Sequence, residues 1–354
     1  MQKGFCAFIF LIAVALILPA QQPVAGAAGS GAPSASSTIL RHITIDAVVT
    51  DAEGKPVGGL EPFDFKLLDN HQPGKVQAFR RTDGLAGNKF DPPVELIVVL
   101  DAVNMPYTAV TLQRQELERF LRMNSGKLEL PTSILLFGNE GLRVQPAPSK
   151  DGNALAEMLD NSTGTVRARD ITGGVFSLKE QFDDSFKAIK GIAGNEAHKP
   201  GRKILVWIGA GWPLLTERFF TIANPAREFY FHELVELTGQ LREARVTVYN
   251  VAPIAGITRE LYKGYLKPVI NPHKMEIGDL ALQVMAVQTG GRVLDPSNDL
   301  AGLILKCQGD ARAYYTLTFV APPAAQADGY HPLQVEVDQS GLTVRTTTGY
   351  YDQP

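Results

Sequence analysis

Val94-Glu-Leu-Ile-Val-Val-Leu-Asp101 decides the reading of this chain. An almost unbroken apolar run suits a strand covered on both faces, as parallel strands are, and the closing aspartate puts a polar group where that strand emerges at the sheet's carboxyl edge. The segments that follow alternate helix with strand. Val110, Leu117, Phe120 and Leu121 share one face of a helix over 106–123, residues 133–137 form the next strand, and 142–144 pairs beside it. Leu178, Phe182, Phe186 and Ile189 mark a second helix, 203–208 is a buried strand and 246–251 a further strand, and Leu234, Leu237 and Leu241 belong to the helix between them. A helix with Ile277, Leu280, Ala281 and Val284, a short strand at 292–294 and a final helix from Asp299 complete the series. With right-handed crossovers this predicts an α/β fold, an open and mainly parallel sheet with helices on both faces.

Outside that region the rhythm is of period two. Ile43, Ile45, Ala47 and Val49 alternate with Thr44, Asp46 and Val48; Phe63, Phe65 and Leu67 alternate again, and 76–79 suits another strand. Near the other end Tyr315, Leu317 and Phe319, then Leu333, Val335 and Val337, then Leu342 and Val344 repeat the pattern up to Gly349-Tyr350-Tyr351. Short strands at either end are marginal alone, so the two sets are expected to associate into one small antiparallel β module.

Before residue 40 the sequence reads as an address. Lys3 precedes an apolar run from Phe5 to Pro19, followed by small residues that suit cleavage, the pattern of a secretory signal. The run is about 15 residues, short of the roughly 20 a membrane span needs, so no membrane insertion is expected once it is removed. Gly, Ala, Ser and Pro then dominate a linker that cannot bury enough surface to order itself. The expected division is a signal at 1–26, a linker at 27–39, the N-terminal part of the β module at 40–88, the α/β domain at 92–311 and the C-terminal part of the module at 312–354. The protein is expected to be secreted or periplasmic.

With 34 basic against 37 acidic residues and a formal charge of -3, no long-range field favours nucleic acid or an anionic membrane. The basic stretch Lys187, Lys190, Lys199, Arg202 and Lys203 reads as a solvated face. Two cysteines exclude a disulfide scaffold; Cys307, beside Leu303 and Ile304, reads as a buried small hydrophobe. The histidines are scattered without metal-binding spacing, and there is no G-x-S-x-G elbow or phosphate loop. Catalytic residues are not expected.

The strand closed by Asp101 looks like the start of a von Willebrand factor type A (VWA) domain. Together with Val48-Val-Thr-Asp-Ala-Glu-Gly-Lys-Pro-Val-Gly-Gly-Leu60, Gly201-Arg-Lys-Ile-Leu-Val-Trp-Ile-Gly209, Thr289-Gly-Gly291 and Gly349-Tyr-Tyr351, it resembles the exported VWFA-related family abundant in Acidobacteria, over roughly residues 40–352. The resemblance implies a Rossmann-like VWA domain flanked by β segments and used for protein binding, with no enzymatic activity.

It also implies a place to look for a metal-ion-dependent adhesion site, Asp-x-Ser-x-Ser with a later Thr and a later Asp around Mg²⁺. Mg²⁺ demands near-octahedral oxygen ligands and dehydrates reluctantly. Here the pattern reads Asp101-Ala-Val-Asn-Met105, so Val103 and Met105 stand where serine oxygens belong; Thr172 matches the Thr, and Ala210 falls where the later Asp belongs. The site is therefore expected to be degenerate and metal-free, with Asp101 bonding nearby backbone amides. A rearranged Mg²⁺ site around Asp101, Asn104, Asp170 and Thr172 is the alternative. Recognition then falls to apolar contact, and the aromatic cluster after 203–208 offers Trp212, Phe219 and Phe220 as binding anchors, with Tyr262 on a second loop. The expected partner is another envelope or extracellular protein, not nucleic acid.

Overall fold

The computed structural model describes residues 41–87, 91–145, 147–162, 174–216, 222–252, 258–322 and 326–352. The expected signal and linker lie outside these residues, as do Asp170, Thr172, Phe219 and Phe220.

Alternating residues make β1 (His42–Thr50) and β2 (Phe65–Asp69), and the short β3 (Gln72–Gly74) and the more exposed β4 (Val76–Asp83) follow. The buried run at Val94 becomes β5 (Glu95–Asp101), followed by α1 (Tyr107–Arg122), β6 (Lys127–Gly138), β7 (Gly141–Val144), β8 (Ser149–Asp151), α2 (Gly152–Asn161) and α3 (Gly174–Glu196). Then come β9 (Lys203–Ile208), α4 (Asn224–Glu243), β10 (Val246–Val251), α5 (Arg259–Tyr262), α6 (Leu282–Gln288), β11 (Val293–Leu294) and α7 (Leu300–Gly309). Strands β12 (Ala313–Val320), β13 (Tyr330–Val337), β14 (Thr343–Thr346) and β15 (Gly349–Tyr351) close the described chain.

The central sheet is mixed and seven-stranded, in the order β11-β10-β9-β5-β6-β7 with β8 also on β6. Its ladders are parallel from β11 to β6, and β7 and β8 pair antiparallel. Because side chains alternate across a strand, β5 serves two cores. Leu96, Val98 and Leu100 join residues of α1, α2 and α7 on one face, and Ile97 and Val99 join α3, α4 and α6 on the other. Each such side chain, once buried, contributes about 1.5–3 kcal/mol.

The terminal strands form two four-stranded antiparallel sheets, β14-β1-β12-β4 and β15-β13-β2-β3. Ile43, Ile45, Leu317 and Phe319 from the first share a core with Phe65, Leu67, Leu333 and Val335 from the second. Val48 points the other way and packs with the core of β5 and α1.

Two local expectations fail, and one helix is additional to them. Helix α2 was not read from the sequence, although Asp151 caps Ala154 N and Leu155, Ala156 and Leu159 are buried on one side. The single helix expected across 277–284 is broken: Glu276 and Asp279 close a capping box around a 3-10 turn at Ile277–Leu280, and α6 starts only after Ala281 turns extended (ψ 145°). Arg202 and Lys203 are not on a solvated face but buried. Lys203 Nζ donates to the carbonyls of Glu196 and Ala244 at 3.1 and 3.0 Å, and Arg202 donates to that of Asp310 at 2.8 Å. These are carbonyls left over at the ends of helices, so each cation is paired where it would otherwise be too costly to bury.

Candidate functional site

The strand order reverses beside β5: later strands β9, β10 and β11 stack on one side of it, β6 and β7 on the other. At such a point the loops leave in opposite directions and an open sheet offers a crevice at its carboxyl edge. Asp101 ends β5 at this position and is fully buried.

Both of its oxygens are engaged. Oδ1 accepts the backbone N–H groups of Val103 and Asn104, each at 2.9 Å. Oδ2 accepts Asn104 Nδ2 and the indole Nε1 of Trp207 on β9, each at 2.8 Å. A carboxylate has about four lone-pair directions, so the protein's own donors use them all. Burial holds the Asp101 pKa above the ordinary carboxylate value, and the hydrogen bonds from Asn104, Trp207 and the two backbone amides offset that only in part. Asn104 carries the network on: its Nδ2 also donates to Ser185 Oγ on α3 at 2.8 Å, and Ser185 donates to the carbonyl of Gln181. The carboxylate thus joins β5, the loop after it, β9 and α3.

Neighbouring positions add little to grip a cation. Val103 and Met105 are buried apolar side chains, and Ala210 brings no carboxylate. Gly209 leaves no spare room, since a Cβ there would stand 3.1 Å from that of Asp101. Among the described residues the donor set does not fit a hexacoordinate Mg²⁺ at Asp101, because the ion would have to displace N–H groups already pointing at the carboxylate. One hard oxygen does lack a partner among the described residues: Asn104 Oδ1, which is buried. Among the described residues no three His, Cys, Asp or Glu side chains are grouped to hold a metal ion.

The aromatic candidates divide. Trp212 is a correction: its ring is fully buried, packs edge-on against Trp207 at 5.3 Å between centroids, and donates its N–H to the carbonyl of Leu280 at 2.9 Å. It is a core residue, and its polar end is satisfied inside. Tyr262 is also buried, but it lines a cleft of about 500 Å³ beside β10 and β11 that also meets Asn250, Gln283 and Arg259. Exposed aromatic rings occur elsewhere, at Tyr107 (68% exposed) and Phe176 (84%). Tyr107 opens the helix that follows β5, and Phe176 lies in the first turn of α3, which runs into β9. Both therefore sit at the carboxyl edge. Phe176 had a usable signal: it lies two residues before Leu178, about 200° around the helix from the buried face.

No protein-family model matches the chain, and no curated protein matches it. Solved structures do. The human COPII-coat protein Sec24c is similar over 80% of this chain and 48% of its own, with 9% identity and a TM-score of 0.38. The pilus adhesin SpaC from Lactobacillus rhamnosus GG is similar over 84% and 49%, with 9% identity and a TM-score of 0.32. The PilB minor pilin from Streptococcus sanguinis is similar over 62% and 61%, with 9% identity and a TM-score of 0.35. The chain spans about half the length of the coat protein and of the adhesin. At these values the likeness says nothing of what this chain binds. No helix among the described residues is long and apolar enough to cross a membrane.

Proposed function

We propose that the chain is an exported, non-enzymatic protein-binding or scaffold module, built on a VWA-like domain whose metal-ion-dependent adhesion site is degenerate and needs no cofactor. The observation that carries this reading is the Asp101 carboxylate, with all its lone pairs committed to Val103, Asn104 and Trp207. The reversal of strand order beside β5 supports the doubly wound, VWA-like assignment. With the cation position locked by protein donors, the partner, another envelope or extracellular protein, is met by shape and apolar contact at the sheet's upper edge, where Tyr107 and Phe176 are exposed.

A photo-crosslinking residue at 107 or 176, expressed in the native host, is expected to capture a discrete protein. The same residue at Phe63, exposed beside β2, serves as control. Capture from none of the upper-edge positions, or equal capture from the control, rejects the reading.

The rival is a metal-dependent adhesin with a rearranged Mg²⁺ site around Asp101, Asn104, Asp170 and Thr172, and the unpartnered Asn104 Oδ1 favours it. The melting temperature in excess Mg²⁺ or Mn²⁺ against EDTA separates the two, because a bound ion stabilises the native state by mass action. No shift is expected. A shift of several degrees that disappears in Asp101→Ala would establish the rival.

A further inference from the structure

The cleft beside β10 and β11 is lined by a side chain whose hydrogen bonding is incomplete. Gln283, on α6, is almost fully buried, and its Nε2 donates to the carbonyl of Ala210 at 3.0 Å and to Asn250 Oδ1 at 3.1 Å. Asn250 in turn donates to the carbonyl of Gly209 at 2.9 Å. This relay fixes the Gln283 amide, and Gly211, at a φ of 81°, leaves the space the amide occupies. Gln283 Oε1 is left with no partner among the described residues, and a buried acceptor without one costs about 1–3 kcal/mol. The side chain lines a cleft of about 500 Å³, within the range of a ligand site.

The walls narrow the choice of ligand. Leu266, Val287 and Val293 are apolar, while Arg259, Arg292 and Asp295 carry the charge. Two guanidinium groups against one carboxylate leave the lining net positive. Arg259 is exposed and makes no ion pair among the described residues, whereas Arg292 already reaches the carbonyl of Lys306. Burial raises the Tyr262 pKa, while Arg259 lowers it and Asp295 raises it. A ligand that completes the cleft therefore brings a neutral N–H or O–H to Gln283 and a carboxylate to Arg259. A cationic donor would face Arg259.

We propose that this cleft takes an acidic peptide segment, with a backbone N–H of the segment donating to Gln283 Oε1 and an Asp or Glu side chain meeting Arg259. The proposal rests on the protein-binding reading above and gives it a specificity. A peptide is the occupant that supplies an amide N–H and a carboxylate in one short unit, and extended segments bind through main-chain hydrogen bonds with side chains adding selection.

The test uses the purified full chain and fluorescent, end-capped pentapeptide pools with either Glu or Lys fixed at the centre, read by anisotropy. The Glu pool is expected to bind about tenfold more tightly than the Lys pool. Arg259→Glu, at an exposed position that leaves the core intact, is expected to reverse the preference. N-methylation of the peptide backbone is expected to weaken the Glu pool, a readout that needs no change at Gln283. Equal binding of both pools, or an unchanged preference in Arg259→Glu, overturns the proposal. Binding of an oligogalacturonate in place of the Glu pool overturns it in favour of a sugar acid. Capture of a partner at residue 176 in an Arg259→Glu chain that prefers neither pool would leave the binding module standing and remove only the cleft.

Discussion

Arg245 grips Asp46 through two parallel hydrogen bonds, Nε to Oδ2 at 3.0 Å and Nη2 to Oδ1 at 2.7 Å, and so ties the end of α4 to β1. The same guanidinium donates to Asp91 Oδ1 at 2.6 Å and to Thr316 Oγ1 on β12 at 3.1 Å. Its backbone is left-handed, with φ 54°, at the position after the helix cap Ala244 where glycine is usual. The strain is tolerated because the side chain is held at several points. The lock joins the antiparallel sheet of β1 and β12 to the base of the central sheet, and so fixes the frame on which the opposite, carboxyl edge is presented.

Arg245→Ala is expected to destabilise the protein by about 3–5 kcal/mol, the usual cost of leaving a buried carboxylate without its partner. Arg245→Gly loses the same bonds but relieves the left-handed backbone, and is expected to be milder by about 1 kcal/mol. Urea denaturation of the two variants side by side measures both terms; equal losses would mean that the backbone carries no strain.

The same pair sets an acid limit. Burial works to raise the Asp46 pKa, but the charge and hydrogen bonds of Arg245 outweigh it, and the folded value is lowered. A depressed carboxylate contributes stability that is present above its unfolded value, about 3.9, and is lost as pH falls through the folded value. Asp46→Asn is therefore expected to be less stable at neutral pH and to lose less on acidification below about pH 4. Melting curves from pH 5 to pH 2 check this, and parallel curves for variant and wild type would contradict it.

Asp101→Asn keeps the shape of the side chain but presents an NH₂ to a ring of donors. With at least one of Val103 N–H, Asn104 or Trp207 left facing another donor, a loss of about 2–4 kcal/mol is expected. Gly209→Ala, crowding the same carboxylate, is expected to lose about 1–3 kcal/mol. If Asp101→Asn is neutral in denaturant titration, the four-donor lock is not what holds this edge.

Asp279 gives pH dependence of the opposite sign. Burial pushes its carboxyl up to about 7, although it accepts the backbone N–H of Glu276 at 2.9 Å. Between about pH 4 and 7 the unfolded chain has released this proton while the folded chain keeps it, so stability falls as pH rises across that window and levels off above it. Asp279→Asn retains an oxygen for Glu276 N–H and is expected to flatten this slope. The window lies above that of Asp46, and since burial also raises Asp101 and Glu95, it is the difference between wild type and Asp279→Asn in thermal melts from pH 4 to pH 8 that reads Asp279.

How far the fold was legible depended on whether burial left a pattern. Strand β9 was legible at both ends because the apolar run Ile204 to Ile208 behind Lys203 has few other readings, and β10 because β-branched and aromatic residues dominate it despite Asn250. Helix α1 was legible from the spacing of Val110, Leu117, Phe120 and Leu121, all buried. Lys203 and Trp212 were not. A lysine whose ammonium caps helix ends looks, in sequence, like any solvated lysine, and a tryptophan after Gly-Ala-Gly looks like a loop anchor until its N–H finds the carbonyl of Leu280. At the site, the poverty of Asp101-Ala-Val-Asn-Met105 in hard oxygens was readable, whereas the Trp207 indole that completes the lock comes from another strand and leaves no mark in spacing. The Gln283 relay is likewise made of non-local bonds, from α6 to the ends of β9 and β10.

Cys307 offers a probe of how firmly α7 is held. The thiol is fully buried between Ile304 and the turn at Asp310, and burial, with the nearby Asp310 charge, drives its pKa up. Since the thiolate is the reactive form, both access and ionisation oppose modification. In the full chain with Cys6→Ser, so that one thiol is read, labelling by a disulfide reagent is expected to be at least about a thousandfold slower in native buffer than in denaturant, proceeding only through opening of the helix. Labelling of the native protein at the rate of a free thiol would mean that α7 is undocked, and with it the face of the sheet formed by Leu96, Val98 and Leu100 would be uncovered.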